Sequence, residues 1–203
     1  YNGKEFIFDA NDIKFDGIFT CLKDDHSIKN SLLDSSLISS LQDNSFILDH
    51  STTSLELVNE FTENEIIIKK NVDFYDAPIS GGEIAAVNGT LSVMVGGSIN
   101  NFQKISPLIN AYAKSITHIG KSGHGQIAKM MNQLSIAGTL QGLSESIFFG
   151  KRYDVDLDKV FDAISNGAAQ SWQMDNRFKT MILNEYDFGF AISLMIKDLG
   201  IIL

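Results

Sequence analysis

The sequence predicts an α/β protein: a mostly parallel sheet domain, incomplete at its N-terminal end, followed by an all-α domain built on a long interdomain helix. Three observations predict this class. Short β-rich runs alternate with helical patterns as far as Ile119. Gly120–Gly125 interrupts that alternation. Beyond it no strand signal returns.

Gly17–Leu22 reads as a buried strand, and Ser27–Leu41 as an amphipathic helix with Ile28, Leu32, Leu33 and Leu37 on one side. Phe46–Asp49 is the next strand. Ser54–Lys70 is the next helix, with Ser54 as its N-cap. Asp73–Ala77 reads as a strand stopped by Pro78, and Thr90–Val95 as one that ends at Gly96-Gly97. Asn100–Ala113 is helical, and Ser115–Ile119 a last short strand. Strands spaced by helices of this length imply βαβ units. From Gln126 to Tyr153 there is no proline, and apolar residues fall on nearly every face of one long helix (Ile127, Met130, Met131, Leu134, Ile147 and Phe148 among them). Such a helix is expected to be buried in protein or between subunits. Leu157–Ser165, Ser171–Leu183 and Phe190–Leu203 follow as further helices. The division is expected at residues 1–122 and 123–203.

Composition excludes several classes of function. The chain has 203 residues, 44% of them hydrophobic, and a net charge of −9. That surface does not suit phosphate backbones, so no nucleic-acid partner is expected. No apolar run reaches the about 18 residues that span a bilayer, so no membrane role is expected either. Cys21 is the one cysteine, and no internal disulfide can form. A cytoplasmic location fits, or the mitochondrial matrix in a eukaryote. Tyr1 is not a methionine, and Leu203 falls inside a helical pattern, so a chain cut at both ends is expected.

Gly123-His124-Gly125-Gln126-Ile127-Ala128 fits the relaxed dinucleotide pattern G-x-G-x-x-A, between a strand and a helix. A dinucleotide loop, however, opens its βαβ unit and has an acidic residue about 20 residues on, at the end of the second strand. Here one long helix follows, with Glu145 inside it. The glycines read better as the entry to that helix, with backbone N–H groups exposed at its start. His118 and His124 lack the carboxylate or cysteine pattern of a zinc site, so no metal is expected.

Three segments combine into a candidate site: Asp49-His50-Ser51-Thr52-Thr53, Asp76-Ala77-Pro78-Ile79-Ser80-Gly81-Gly82, and Gly123-x-Gly125 with Lys129, Asn132 and Gln133. The first two lie just past strands, where open α/β sheets bind ligands. Residues i, i+3 and i+4 share a helix face, so Lys129, Asn132 and Gln133 can line one wall. Taken singly, each has a plainer reading. Lys129 would be a solvated lysine, Ser80-Gly81-Gly82 a turn, Ser51-Thr52 a helix cap, Lys197-Asp198 a surface pair, and Asn132 a polar residue inside a bundle.

In this order and spacing the segments resemble the β-hydroxyacid dehydrogenases, in particular the 3-hydroxyisobutyrate dehydrogenase and tartronate semialdehyde reductase group. DAPISGGEIAAVNGTLSVMVGG (76–97) resembles the family's substrate-binding signature and GHGQIAKMMNQ (123–133) its catalytic-helix signature. Asp49–Thr53 resembles a third loop, and Met195-Ile196-Lys197-Asp198-Leu199 the late lysine motif. The resemblance implies a Rossmann-like nucleotide-binding domain at 1–122, without its first βαβ elements, and a helical substrate and dimerisation domain at 123–203. It implies hydride transfer between NAD or NADP and a small hydroxy acid, in a homodimer or homotetramer. Lys129 would be the catalytic lysine. Ser80, Gly81 and Gly82 would hold the substrate carboxylate, with Ser51, Asn132 and Gln133 also at the substrate. Leu22, Lys23, Thr52 and Lys197 would contact the cofactor. A lysine accepts the hydroxyl proton only when neutral. Its ordinary pKa is about 10.4, and burial beside Met130 and Met131 would favour the neutral form.

The sequence departs from the family at several points. Lys23 stands where proline is usual, His50 where the residue is commonly small or apolar, and Gln133 where a second asparagine is frequent. The strand and glycine-rich phosphate loop with which family members begin are not among these residues, as expected of a chain cut at its start. A scaffold protein without activity is therefore the second reading. Sugar-acid phosphate dehydrogenases and imine reductases share the scaffold. The first use a histidine where Met131 stands, and the second usually lack the lysine.

Overall fold

A computed structural model describes residues 14–187 and 189–203. The chain divides into two compact units. The first runs through Met130 and includes Gly200–Leu203; the second is Met131–Leu199.

The first unit is built on a six-stranded sheet. Its strands are β1 (Phe15–Thr20), β2 (Leu41–Asp49), β3 (Asp73–Asp76), β4 (Ile79–Ser80), β5 (Leu91–Gly96) and β6 (Ala113–Gly120). The helices among them are α1 (Asp25–Ile28), α2 (Leu55–Thr62), α3 (Glu65–Lys69), α4 (Gly82–Val87) and α5 (Ile99–Ile109). β1, β2 and β3 pair in parallel, and so do β5 and β6. The two sets meet antiparallel where Asp76 faces Gly96. The expected Rossmann-like sheet is present, with this reversal added.

Both faces of β2 and β3 are covered, which is why Phe46-Ile47-Leu48 and Phe74-Tyr75 read as continuous apolar runs. β1, read as buried, leaves Phe19 exposed. Neighbouring residues point to opposite faces. Ile47 and Phe74 join a cluster with Ile28, Leu57, Val58 and Phe61. Leu48 and Tyr75 join the opposite cluster with Val93, Val95, Ile105 and Ile109.

Several elements differ from the sequence reading. The helix expected over Ser27–Leu41 is α1, then a π turn at Lys29–Leu33 and a 3₁₀ turn at Ile38–Ser40. The Ser35 hydroxyl bonds the Ser31 carbonyl and accepts from Leu37 N, competing with the helix for backbone partners. β2 then begins at Leu41, five residues before the expected Phe46. The helix expected over Ser54–Lys70 is two helices. Asn64 caps the second by accepting from Ile66 N and Ile67 N. Ser80-Gly81-Gly82, read as a turn, leads from a short strand into a helix.

The long helix α6 (His124–Arg152) begins in the first unit and continues into the second. The second unit adds α7 (Leu157–Ile164), α8 (Trp172–Leu183) and most of α9 (Ile192–Ile202). Its core is Leu143, Ile147, Met174 and Phe178, with Leu157, Phe161 and Met181 packed against them. Within the single chain Met131, Leu134, Phe148 and Phe149 of α6 are exposed, as is Trp172 on α8. Among the described residues, no helix is long and apolar enough to cross a membrane.

Candidate active site

β1, β2 and β3 end in register, Thr20 beside Asp49 and Asp49 beside Asp76. Three loops therefore leave one sheet edge side by side. His50 N donates to Thr20 O, and Ala77 N to Asp49 O, extending the ladder one residue further. Asp49 is buried; its Oδ1 accepts from the Thr20 hydroxyl at 2.8 Å and from Ser51 N at 2.9 Å. Burial pushes its carboxyl above the ordinary range, and these donors act against that rise.

The Ser51 hydroxyl accepts from Leu22 N at 2.7 Å, which ties the β2 loop to the β1 loop. Its own O–H is turned to the Asp49 carboxylate, so this one hydroxyl joins the β1 loop to the end of β2. Ser51 is buried, Thr52 half-buried, and Leu22 and Lys23 are exposed. Thr53 Oγ1 is buried and has no hydrogen-bond partner.

His50, uninformative in the sequence, joins the loops from the other side. Its Nδ1 lies 2.6 Å from the Ala77 carbonyl, which only accepts, so Nδ1 carries the hydrogen. Nε2 then accepts from the Tyr112 hydroxyl at 2.8 Å. Burial holds the imidazole pKa below its ordinary value and pushes the Tyr112 phenol up to about 12.

Asp76 explains the glycines before α6. Its side chain is fully buried, and Oδ1 accepts from Gly123 N at 2.7 Å while Oδ2 accepts from Gln126 N at 2.9 Å. A carboxylate from a distant strand thus fills the helix N-terminus. The backbone N–H groups expected to be exposed there are occupied, and this first turn is not a phosphate loop. A Cβ on Gly125 would collide with the Asp76 and Met94 carbonyl oxygens, and one on Gly96 with the Asp76 carboxylate. Burial outweighs the N–H donors and raises the Asp76 pKa to about 6.

Lys129 lies one turn further along α6 and is 8% exposed. Its Nζ donates to the Ile79 carbonyl at 2.8 Å, immediately before Ser80-Gly81-Gly82. Gly81 and Gly82 both have positive φ, +128° and +67°, which side-chain-bearing residues rarely adopt. Both glycines are exposed, and Ser80 is half-buried. Met131, expected to shield the amine, is instead 64% exposed.

The first unit therefore brings together Leu22, Ser51, Thr52, Lys129 and the start of the Ser80–Gly82 turn. Asn132, Gln133 and Lys197 belong to the second unit and form their own network. Asn132 Nδ2 donates to Gln133 Oε1, and Gln133 Nε2 donates to Asp198 Oδ2 at 2.6 Å. Lys197 Nζ lies 3.0 Å from Asp198 Oδ1. Asp198 is buried, so Lys197-Asp198 is no surface pair.

Gln126 escaped the sequence reading. It is fully buried; its Nε2 donates to Ser51 O at 2.8 Å, and its Oε1 accepts from Thr53 N at 3.2 Å. Its place three residues before Lys129, on the same helix face, was the available signal. Among the described residues, no group of three or more His, Cys, Asp or Glu side chains could hold a metal ion.

Comparisons with known proteins show what the chain is similar to. Residues 4–120 match the family described as the NAD binding domain of 6-phosphogluconate dehydrogenase. Residues 123–203 match the NAD-binding family of NADP-dependent 3-hydroxyisobutyrate dehydrogenase. The chain is 43% identical over 189 residues to an uncharacterized oxidoreductase of Shewanella frigidimarina, covering 93% of this chain and 64% of that protein. It is 34% identical over 190 residues to a probable mitochondrial 3-hydroxyisobutyrate dehydrogenase-like protein of Arabidopsis thaliana, covering 93% of this chain and 56% of that one. The crystal structure of a 3-hydroxyisobutyrate dehydrogenase from Salmonella typhimurium superposes with a TM-score of 0.76 at 25% identity, over 92% of this chain and 65% of that one. The chain thus spans less than two thirds of the length of these relatives.

Proposed function

We propose that this chain, which belongs to the β-hydroxyacid dehydrogenase family, serves an oxidoreductase that moves a hydride between NAD or NADP and a small β-hydroxy acid or its semialdehyde. The observation that carries the reading is Lys129: a buried amine, hydrogen-bonded to the carbonyl that opens the Ser80-Gly81-Gly82 turn. The 3-hydroxyisobutyrate dehydrogenases among its relatives support the substrate class.

The residues at the sheet edge fit a nicotinamide dinucleotide. Ser51 and Thr52 supply hydroxyls where three parallel strands end, and the buried Thr53 hydroxyl lacks a partner. With Leu22 and Lys23 they would hold the cofactor, which supplies the hydride acceptor or donor when bound. In the oxidative direction Lys129 takes the substrate hydroxyl proton as the carbinol hydrogen leaves as hydride. In the reductive direction it returns that proton to the forming alkoxide. The Ile79 carbonyl aims the amine. Ser80 and the Gly81 and Gly82 amides grip the substrate carboxylate with neutral donors, so no cation competes with Lys129. Ser51 completes the substrate contacts within the first unit.

The reading includes self-association as a homodimer or homotetramer, supported by the exposed Met131, Leu134, Phe148 and Phe149 of α6. The test is to assay the full-length protein with NAD and with NADP against a panel of short hydroxy acids and semialdehydes, with Lys129→Ala as control. Turnover that depends on Lys129 is expected. Absence of turnover in every combination, or undiminished turnover in the variant, overturns the reading.

A further inference from the structure

The side chain of Gln126 does work that the proposed chemistry does not by itself require. It is fully buried on the first turn of α6 and bonds to two backbone groups more than 70 residues away in sequence. Those groups, Ser51 O and Thr53 N, flank Thr52. A primary amide offers one donor and one acceptor side by side, so it can pair with both, as the peptide of a neighbouring strand would. Asparagine is a methylene shorter. Glutamate matches the shape but, ionised, lacks the donor.

The same turn makes two other attachments. The Gln126 backbone N–H donates to Asp76, which fixes the turn to the end of β3. Lys129, three residues on, reaches Ile79. One helical turn therefore fastens the β2 loop, through Gln126, and the β3 loop, through Lys129. The β1 loop joins through Leu22 N and the Ser51 hydroxyl. Removing the Gln126 amide would leave the Asp76 cap and the Lys129 contact in place and free only the segment around Thr52.

We propose that Gln126 is a positioning residue: it holds the Ser51–Thr53 loop at a fixed distance from the Lys129 amine and so sets cofactor affinity and the hydride-transfer geometry. This rests on the reading of Ser51 and Thr52 as cofactor-side residues. Gln126 touches neither reactant; it acts through the loop.

The test uses the full-length protein and Gln126→Met, which keeps the side-chain length but cannot make either bond. Amide hydrogen exchange across residues 51–53 and the dissociation constant of reduced cofactor, by fluorescence titration, are measured without turnover. The expected result is lost protection of the Thr53 amide together with cofactor binding weakened roughly tenfold or more, while the KM for hydroxy acid moves much less. Lys129→Ala should show the opposite split, lost turnover with cofactor affinity kept. Unchanged cofactor affinity in Gln126→Met beside an active native enzyme overturns this inference alone. A native enzyme inactive on every hydroxy acid overturns the functional reading instead. Should Gln126→Met not fold, Gln126→Glu, which keeps the shape and one acceptor, is read by the same two measurements.

Discussion

The two units of the chain solve burial in different ways. The sheet unit packs a core on each face of its sheet and meets most of its buried polar groups with partners on neighbouring elements: Asp49 with Thr20 and Ser51, His50 with Ala77 and Tyr112, Asp76 with the start of α6. The helical unit has a small core around Leu143, Ile147, Met174 and Phe178 and leaves Met131, Leu134, Phe148, Phe149 and Trp172 in solvent. The contrast teaches that one unit is organised around a sheet edge lined by the candidate-site residues. The other has a smaller core and leaves large apolar and aromatic side chains exposed along α6 and α8, where the sheet unit exposes mainly aliphatic ones such as Ile68, Ile84 and Val87.

The first way to break this comparison is to empty the small core. Phe178 is 1% exposed, and Phe178→Ala should cost the helical unit about 4 kcal/mol. Urea unfolding followed by a probe in each unit would show the loss in the helical unit first. Simultaneous loss in both would show that the units do not differ in stability as described.

A comparable effect is expected where α6 enters the sheet unit. Gly125→Ala sets a Cβ against the Asp76 and Met94 carbonyls, and neither backbone can yield cheaply. A loss of about 3 kcal/mol is expected by thermal unfolding; wild-type stability would show that the close approach is not required.

Asp76 sharpens the comparison through pH. Its pKa is raised to about 6 from an ordinary 3.8, so the folded state binds a proton more tightly than the unfolded one. The stability this contributes is fully present below about pH 4 and is lost as the pH rises through about 6, up to roughly 3 kcal/mol. The difference in unfolding free energy between the native protein and Asp76→Asn should fall over that window. A flat difference would contradict the account of a carboxyl buried against its own helix cap.

The smallest effect on stability belongs to the exposed apolar face. Phe148→Ser and Met131→Ser should change unfolding by less than about 0.5 kcal/mol, yet shift sedimentation toward smaller species. Unchanged sedimentation would show that this face is not where copies meet.

What the sequence made legible follows from what sets each feature. β2 and β3 were readable because strands buried on both faces form unbroken apolar runs such as Phe46-Ile47-Leu48. The start of β2 was hidden because Gln42, Asp43 and Asn44 are exposed and carry no apolar pattern. The break at Asn64 was signalled, since Asn-Glu ahead of an isoleucine run is a helix start, but one long helix fitted the periodicity as well. Lys129 and the Ser80-Gly81-Gly82 turn stood out by motif. Gln126 and Asp76 lay inside the same motifs, but the motifs did not mark their roles. Their roles are bonds spanning 47 to 75 residues, and no local pattern encodes those distances. The network of Gln133, Asp198 and Lys197 was hidden for the same reason. The motif marked Lys197, while the burial of Asp198 came from packing.

The central claim is that the Lys129 amine moves the proton. Single-turnover hydride transfer in the full-length enzyme, native against Lys129→Ala, tests it most directly at saturating cofactor and hydroxy acid. The account predicts a rate lower by about 10²- to 10⁴-fold in the variant, with cofactor affinity unchanged. A variant that transfers hydride at the native rate would contradict it.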